Sequence, residues 1–297
     1  MGLVDGKCVV VSGAGRGIGR GHVRVLAEQG ARVVVNDVDR AEAEQVVAEI
    51  EAGGGVAVAN ADDVGTRAGC EALVGQCVEA FGRIDAAVNN AGIVRDRSFL
   101  KMTDAEFDDV FRIHAKSTFW ISQAAAIAMR EQGTGGTLIN TTSGAHMGNF
   151  GQTNYAAAKG AIASMTYTWA LELSRYGIRV NCIAPAGSTR MTATAKDADG
   201  NEVELPFWDP ALNTPMVAYL ISDEGKWLTG QVFATGMERL GLLRQPAYGK
   251  ALTREGGWDI ESVRRVVRDE LGPALEPFGL TKPAYPFYDG VEPPGKA

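Results

Sequence analysis

The sequence predicts an α/β protein built on a doubly wound parallel sheet of about seven strands, with helices on both faces and a C-terminal extension. Two observations carry this. Short runs of β-branched residues alternate with longer segments of helical period, which is the signature of βαβ units. The strand runs are also almost continuously apolar, as suits strands covered on both faces. In order along the chain they fall at 7–12, 32–36, 56–60, 86–89, 137–140 and 179–183, with a seventh at 231–234. Between the second and third, residues 40–52 place Ala41, Val46, Val47 and Ile50 near a 3.6-residue period and turn Glu42, Glu44 and Glu49 to water. Glycines at 53–55, 82 and 133–136 stop the helices that precede them.

Bulk properties narrow the class. At 297 residues the chain suits one large domain with a tail better than two equal ones. Hydrophobic residues make up 45% and charged residues 22%, ordinary globular usage. The formal charge is −7 with Lys and Arg scattered, so a nucleic-acid or membrane-surface footprint is not expected. Cys8, Cys70, Cys77 and Cys182 show no CxxC spacing and sit in apolar or helical stretches, as reduced thiols do. The start MGLVDGKCVVVSG runs into a strand without signal-peptide features, and no apolar run is long enough to span a membrane. These features predict a cytoplasmic location, with no metal site expected.

The first strand leads into SGAGRGIG, residues 12–19, which opens a helix near Gly17. Strict GxGxxG fails in every register, whereas GxxxGxG fits Gly13, Gly17 and Gly19. Glycines there let the chain turn tightly and approach a pyrophosphate, which helix N–H groups around Arg16, Gly17 and Ile18 then hold. The second strand ends in Asn36 and Asp37, where a carboxylate accepts hydrogen bonds from an adenosine ribose and repels a 2′-phosphate, favouring NAD. Arg16 argues the other way, since a guanidinium in that loop suits a phosphate; Asp37 is weighed above it. The third strand runs into Asp62, Asp63 and Val64, suited to an adenine edge, and the fourth ends in NNAG, with Asn90, Ala91 and Gly92 at the same edge. The sheet is therefore of Rossmann type.

Tyr155 and Lys159 stand four apart in an alanine-rich helical stretch and share one face. An ammonium ~5 Å from a phenol contributes about 3 kcal/mol at an effective dielectric of ~20, which favours phenolate and predicts a lowered Tyr155 pKa. Thr141, Thr142 and Ser143 follow the fifth strand and offer a hydroxyl to a substrate oxygen.

Together, SGAGRGIG, NNAG, a hydroxyl before YxxxK and the later IAPAGSTRMT resemble the short-chain dehydrogenase/reductase family over roughly residues 1–240. The resemblance implies that Tyr155 is the general acid/base, that Lys159 binds ribose and lowers the tyrosine pKa, and that a serine polarises the substrate oxygen. Family spacing puts that serine at Thr142; Ser143 keeps the residue type one position later and is preferred. His114 stands where many members carry an asparagine. NDVD, AGIVRDRSFLKM, His114, GNFGQTNYAAAK and PAGSTRMT are similar to the 3-hydroxyacyl-CoA dehydrogenase unit of multifunctional enzyme type 2 and its bacterial relatives, as is the extended end with TREGGWDIESV. This implies an acyl-CoA or steroid-type secondary alcohol or ketone as substrate and a homo-oligomer, dimer or tetramer.

By the same resemblance residues 185–192, including Pro185, Gly187 and Ser188 or Thr189, meet the nicotinamide. Residues 193–210, with Phe207 and Trp208, read as a substrate lid. The catalytic domain is expected over 1–245 and the extension over 246–297, where Asp259 caps a helix with Ile260, Val263, Val267 and Leu271 on one face. That face is expected to dock on its own subunit or a neighbour. The rival readings are an NADPH-dependent 3-oxoacyl reductase, a catalytically silent dinucleotide-binding protein, and a methyltransferase on the same fold. Asp37 disfavours the first, and the Tyr155/Lys159 pair the other two.

Overall fold

Along β1 (Cys8–Val11) successive side chains point to opposite faces, so Val9 and Val11 join one apolar cluster while Cys8 and Val10 join another. The same split recurs in β2 (Arg32–Asn36), where Val33 and Val35 oppose Val34. On the first face these residues pack against Val23 and Leu26 of α1 (Gly17–Glu28), Val46 of α2 (Arg40–Ala52), and Leu220 of α7 (Thr214–Ile221). On the second they meet Leu73 of α3 (Arg67–Phe81), Ile121 and Met129 of α5 (Ser117–Gln132), and Ala170 of α6 (Thr153–Leu173). Two buried layers explain why the strands read as continuous apolar runs. The computed structural model describes residues 2–188, 206–276 and 278–280.

The remaining strands are β3 (Val56–Asn60), β4 (Ala86–Asn89), β5 (Gly136–Thr141), β6 (Ile178–Pro185), β7 (Val232–Thr235) and β8 (Gly241–Leu242). Their order is β3-β2-β1-β4-β5-β6-β7-β8, parallel throughout except for the β7–β8 pair. Among the described residues the sheet thus has eight strands against the expected seven or so. The addition is a two-residue antiparallel edge, too short to show a period. Strand order reverses between β1 and β4, which leaves a crevice beyond their carboxyl ends.

Between β4 and α5 the chain forms α4 (Asp104–Phe111), capped by Thr103 and Glu106 in a reciprocal box, and then a π-helical turn at Arg112–Lys116. That wider turn carries His114. In the extension, Asp259 caps α8 (Ile260–Val266) as expected, its carboxylate accepting from Ser262 N at 2.8 Å. The expected apolar face stays largely open, with Ile260, Val263 and Val267 exposed. All four cysteines are free and buried. Among the described residues no helix is long and apolar enough to cross a membrane.

Candidate active site

The turn after β1 is held by its neighbours. Gly13 and Gly17 adopt positive φ, +62° and +53°, and at Gly19 a Cβ would lie 2.2 Å from Gly13 O and 2.5 Å from Asn90 Nδ2. Asn90 Nδ2 donates to Ser12 O at 3.0 Å and to Gly13 O at 2.9 Å. In return the Ser12 hydroxyl accepts from Asn90 N and Ala91 N. NNAG is therefore the latch of the glycine turn, and Ser12, which sequence reasoning passed over, is the hydroxyl it closes on. Its place at the strand end, just before the first glycine, was the available signal.

Behind this turn Asp37 is half-buried, accepting from Gly15 N at 3.1 Å and Asp39 N at 3.1 Å. Arg16, the residue that argued for a phosphate, is ion-paired with Asp39 at 2.7 Å and Glu42 at 2.8 Å. Asp63 caps its own turn through Gly65 N at 2.8 Å, beside the buried Val64. Among the described residues, those singled out from the sequence for cofactor or chemistry, Gly19 excepted, line one cleft of about 1510 Å³ along the carboxyl edge of the sheet. The cleft is large enough for a dinucleotide and a substrate together. Its glycine cradle, which a Cβ would fill, and the carboxylate at its adenosine end fit a nicotinamide dinucleotide.

At the other end α6 brings up Tyr155 and Lys159 one turn apart. Lys159 Nζ lies 5.6 Å from the Tyr155 ring centre and donates to Thr141 O at 2.6 Å. The ammonium is buried without a carboxylate, and burial pulls its pKa down to about 8. The two candidate hydroxyls part company here. Thr142 is buried and donates to Lys159 O at 2.7 Å, tying β5 to α6. Ser143 lines the cleft with Tyr155, whose pKa its hydroxyl acts to lower, and accepts from Ala145 N at 3.2 Å.

The expected lowering of the Tyr155 pKa does not hold. Burial pushes the phenol up; the Ser143 hydroxyl opposes this, and the negative field of Asp96 adds to it. Desolvation outweighs pairing because the phenol is enclosed and Lys159 is turned to Thr141.

His114 packs edge-on against Tyr155, ring centres 5.2 Å apart. Its Nε2 lies 2.7 Å from Ile93 O and 3.0 Å from Ile93 N, and Nδ1 is buried without a partner. Burial, then the Lys159 charge, lowers its pKa to about 3, so it is neutral. Gly92 makes room for the ring, since a Cβ there would meet His114 Cε1 at 2.4 Å.

Past β6, Pro185, Gly187 and Ser188 line the cleft. Ser188 is stapled to Trp208: its N donates to Trp208 O at 2.9 Å, and its hydroxyl accepts from Trp208 N at 2.8 Å. Thr189 and most of the expected lid lie outside the described residues; of the rest, Phe207 is exposed and lines the cleft. Leu280, which sequence reasoning missed, also lines it.

The family described as short chain dehydrogenase matches residues 7–201. The chain is 40% identical to mouse peroxisomal multifunctional enzyme type 2 over 249 residues, covering 81% of this chain but only 33% of that protein. It thus spans about a third of that relative's length. Against the hydroxyacyl-CoA dehydrogenase ChsB1 of Mycobacterium tuberculosis, identity is 37% over 284 residues, covering 90% of this chain and 89% of that one. A crystal structure of a short chain dehydrogenase from Mycobacterium avium superposes with a TM-score of 0.82 at 39% identity, covering 91% of this chain and 96% of that one.

Proposed function

Because the chain belongs to the short-chain dehydrogenase family, we propose that it is an NAD-dependent oxidoreductase interconverting a secondary alcohol and a ketone on a 3-hydroxyacyl-CoA substrate. The observation that carries the reading is the convergence of the Ser143 hydroxyl, the Tyr155 phenol and the Lys159 ammonium at one end of a cleft whose other end is a glycine cradle. The substrate class rests on the similarity to a hydroxyacyl-CoA dehydrogenase over nine-tenths of the chain.

Nicotinamide supplies the hydride acceptor for alcohol oxidation and the donor for the reverse. The residues do the rest. Ser143 donates to the substrate oxygen and fixes it beside the phenol. Tyr155 takes the hydroxyl proton in oxidation and returns it in reduction. Lys159 would hold the cofactor ribose hydroxyls and, freed from Thr141 O, would stabilise the phenolate. Gly13, Arg16, Gly17, Ile18 and Gly19 cradle the pyrophosphate; Asp63 and Val64 meet the adenine, and Asn90, Ala91 and Gly92 the adjoining ribose. Pro185, Gly187 and Ser188 hold the carboxamide. NAD is preferred because Asp37 presents a carboxylate to the ribose while Arg16 is already neutralised by two acids.

The phenol starts above its ordinary value, so kcat/KM for oxidation rises with pH as Tyr155 ionises. Replacement Tyr155→Phe is expected to lower kcat by about a thousandfold or more while NADH binding, read by fluorescence titration, is unchanged. Turnover surviving in that variant removes the proposal. Screening 3-hydroxyacyl-CoA against hydroxysteroid, each with NAD and NADP, decides substrate class and cofactor.

A further inference from the structure

The extension was expected to dock on its own subunit or on a neighbour, and residues 278–280 give the choice a physical basis. Leu280 N donates to Gly148 O at 2.7 Å, adding a backbone link to the loop that follows Ser143. Two glycines on that loop allow the approach: a Cβ at Gly144 would lie 3.1 Å from Leu280 Cδ1, and one at Gly148 would lie 3.4 Å from Gly279 Cα. Leu280 keeps 44% of its surface exposed and lines the same cleft as Ser143 and Tyr155. Met147, whose Cε lies near the same Gly144 position, and Phe150 further along that loop are exposed at 46% and 94%. Apolar side chains left open around a catalytic loop lose water when an apolar ligand arrives.

We infer that residues 278–280 pack against the catalytic loop of their own chain so that Leu280 forms part of the wall that holds the non-reacting acyl chain of the substrate. This rests on the proposed activity only for the identity of the ligand. The docking itself is independent of it. Leu280 sits beside the loop that bears Ser143 and does not touch the glycine cradle, so its contribution falls on substrate length and spares dinucleotide affinity.

A double variant, Gly144→Cys with Leu280→Cys, tests the docking without any substrate. Because a Cβ placed at Gly144 falls 3.1 Å from Leu280 Cδ1, cysteines at the two positions are brought side by side, and the four native cysteines are buried. Mild oxidation is expected to give a single chain lighter by two hydrogens. A chain that stays reduced, or one that links only to a second chain, overturns the inference. Leu280→Asp then tests the consequence. The loss in kcat/KM, taken through KM, is expected to be about tenfold greater with 3-hydroxydecanoyl-CoA than with 3-hydroxybutyryl-CoA. Equal losses on both thioesters, or none, remove Leu280 from substrate selection. Wild-type protein that oxidises neither thioester defeats the proposed activity instead, and the disulfide result alone then decides the docking.

Discussion

At the dinucleotide end of the cleft, backbone and short polar groups bind one another: Ser12, Gly13, Asn90 and Ala91 exchange four hydrogen bonds, and Asp37 pins two amides. At the substrate end Met147, Phe150 and Phe207 face solvent, and Ser188 bonds across to the segment at 206–208. The first end is built from main-chain atoms in close contact, which leaves almost no freedom in residue type. The second presents side chains, and a change of side chain there changes what fits while the fold stands. On the proposed function, cofactor recognition belongs to the turn and substrate choice to the rim.

The largest effect expected from this contrast is at Gly19. An alanine Cβ must displace Gly13 O or Asn90 Nδ2, both members of the latch, so Gly19→Ala is expected to weaken NADH binding by about a hundredfold or more. Phe150→Ala, on the rim, is expected to leave NADH affinity at the wild-type value. Fluorescence titration of the two variants side by side breaks the comparison if their affinities fall together.

The two adjacent hydroxyls sharpen it next. Ser143→Ala is expected to lower kcat about a hundredfold with unchanged melting temperature, since its hydroxyl serves the reacting oxygen. Thr142→Val instead removes the donor to a buried carbonyl and is expected to cost about 1–3 kcal/mol of stability. Steady-state kinetics with thermal melts on both variants separates the roles, and the opposite pattern would hand the catalytic position to Thr142.

This pair also shows where the sequence stops being legible. β2, β3, β4 and α2 have the bounds their patterning predicted, because continuous apolar runs and a 3.6-residue period record burial directly. The GxxxGxG turn, Asp37 and the Tyr155–Lys159 spacing were equally readable, since each answers a local steric or helical demand. Thr142 and Ser143 differ only in which side of the chain each takes at the end of β5, and a spacing count cannot see that. β8 is too short to carry a period. The Tyr155 pKa went the wrong way because pairing can be read from a four-residue step whereas desolvation depends on the whole pocket. Leu280 meets Gly148 from the far end of the chain, and no local pattern records that approach.

Two buried histidines, one behind each end, extend the comparison to stability. His22 of α1 bonds Thr214 Oγ1 at 3.0 Å, and burial lowers its pKa to about 4; His114 falls to about 3. Both are neutral in the fold and take up protons near pH 6.5 when unfolded. The unfolded chain therefore binds more protons below that pH, and stability falls as pH drops from about 6.5 toward 4. For His22 alone the loss is on the order of 2 kcal/mol at pH 5. His22→Gln, which keeps a partner for Thr214, is expected to recover that amount when urea unfolding at pH 7 and pH 5 is compared. An unchanged pH dependence assigns the acid sensitivity to the substrate end, through His114.

The smallest expected effect tests whether the dinucleotide end chooses its cofactor through one carboxylate. Asp37→Asn preserves shape and an acceptor for the turn but removes the charge. If repulsion of a 2′-phosphate by Asp37 sets the preference, the NAD/NADP ratio of kcat/KM narrows about tenfold in this variant. Arg16 supplies the internal control: Glu42→Gln removes one of its two carboxylate partners, leaving the guanidinium freer to meet a phosphate, and narrows the ratio further when combined with Asp37→Asn. A ratio that moves only with Glu42→Gln places discrimination in the Arg16 clamp. The carboxylate at the end of β2 would then be a brace for Gly15 N and Asp39 N, holding the turn without choosing the ligand.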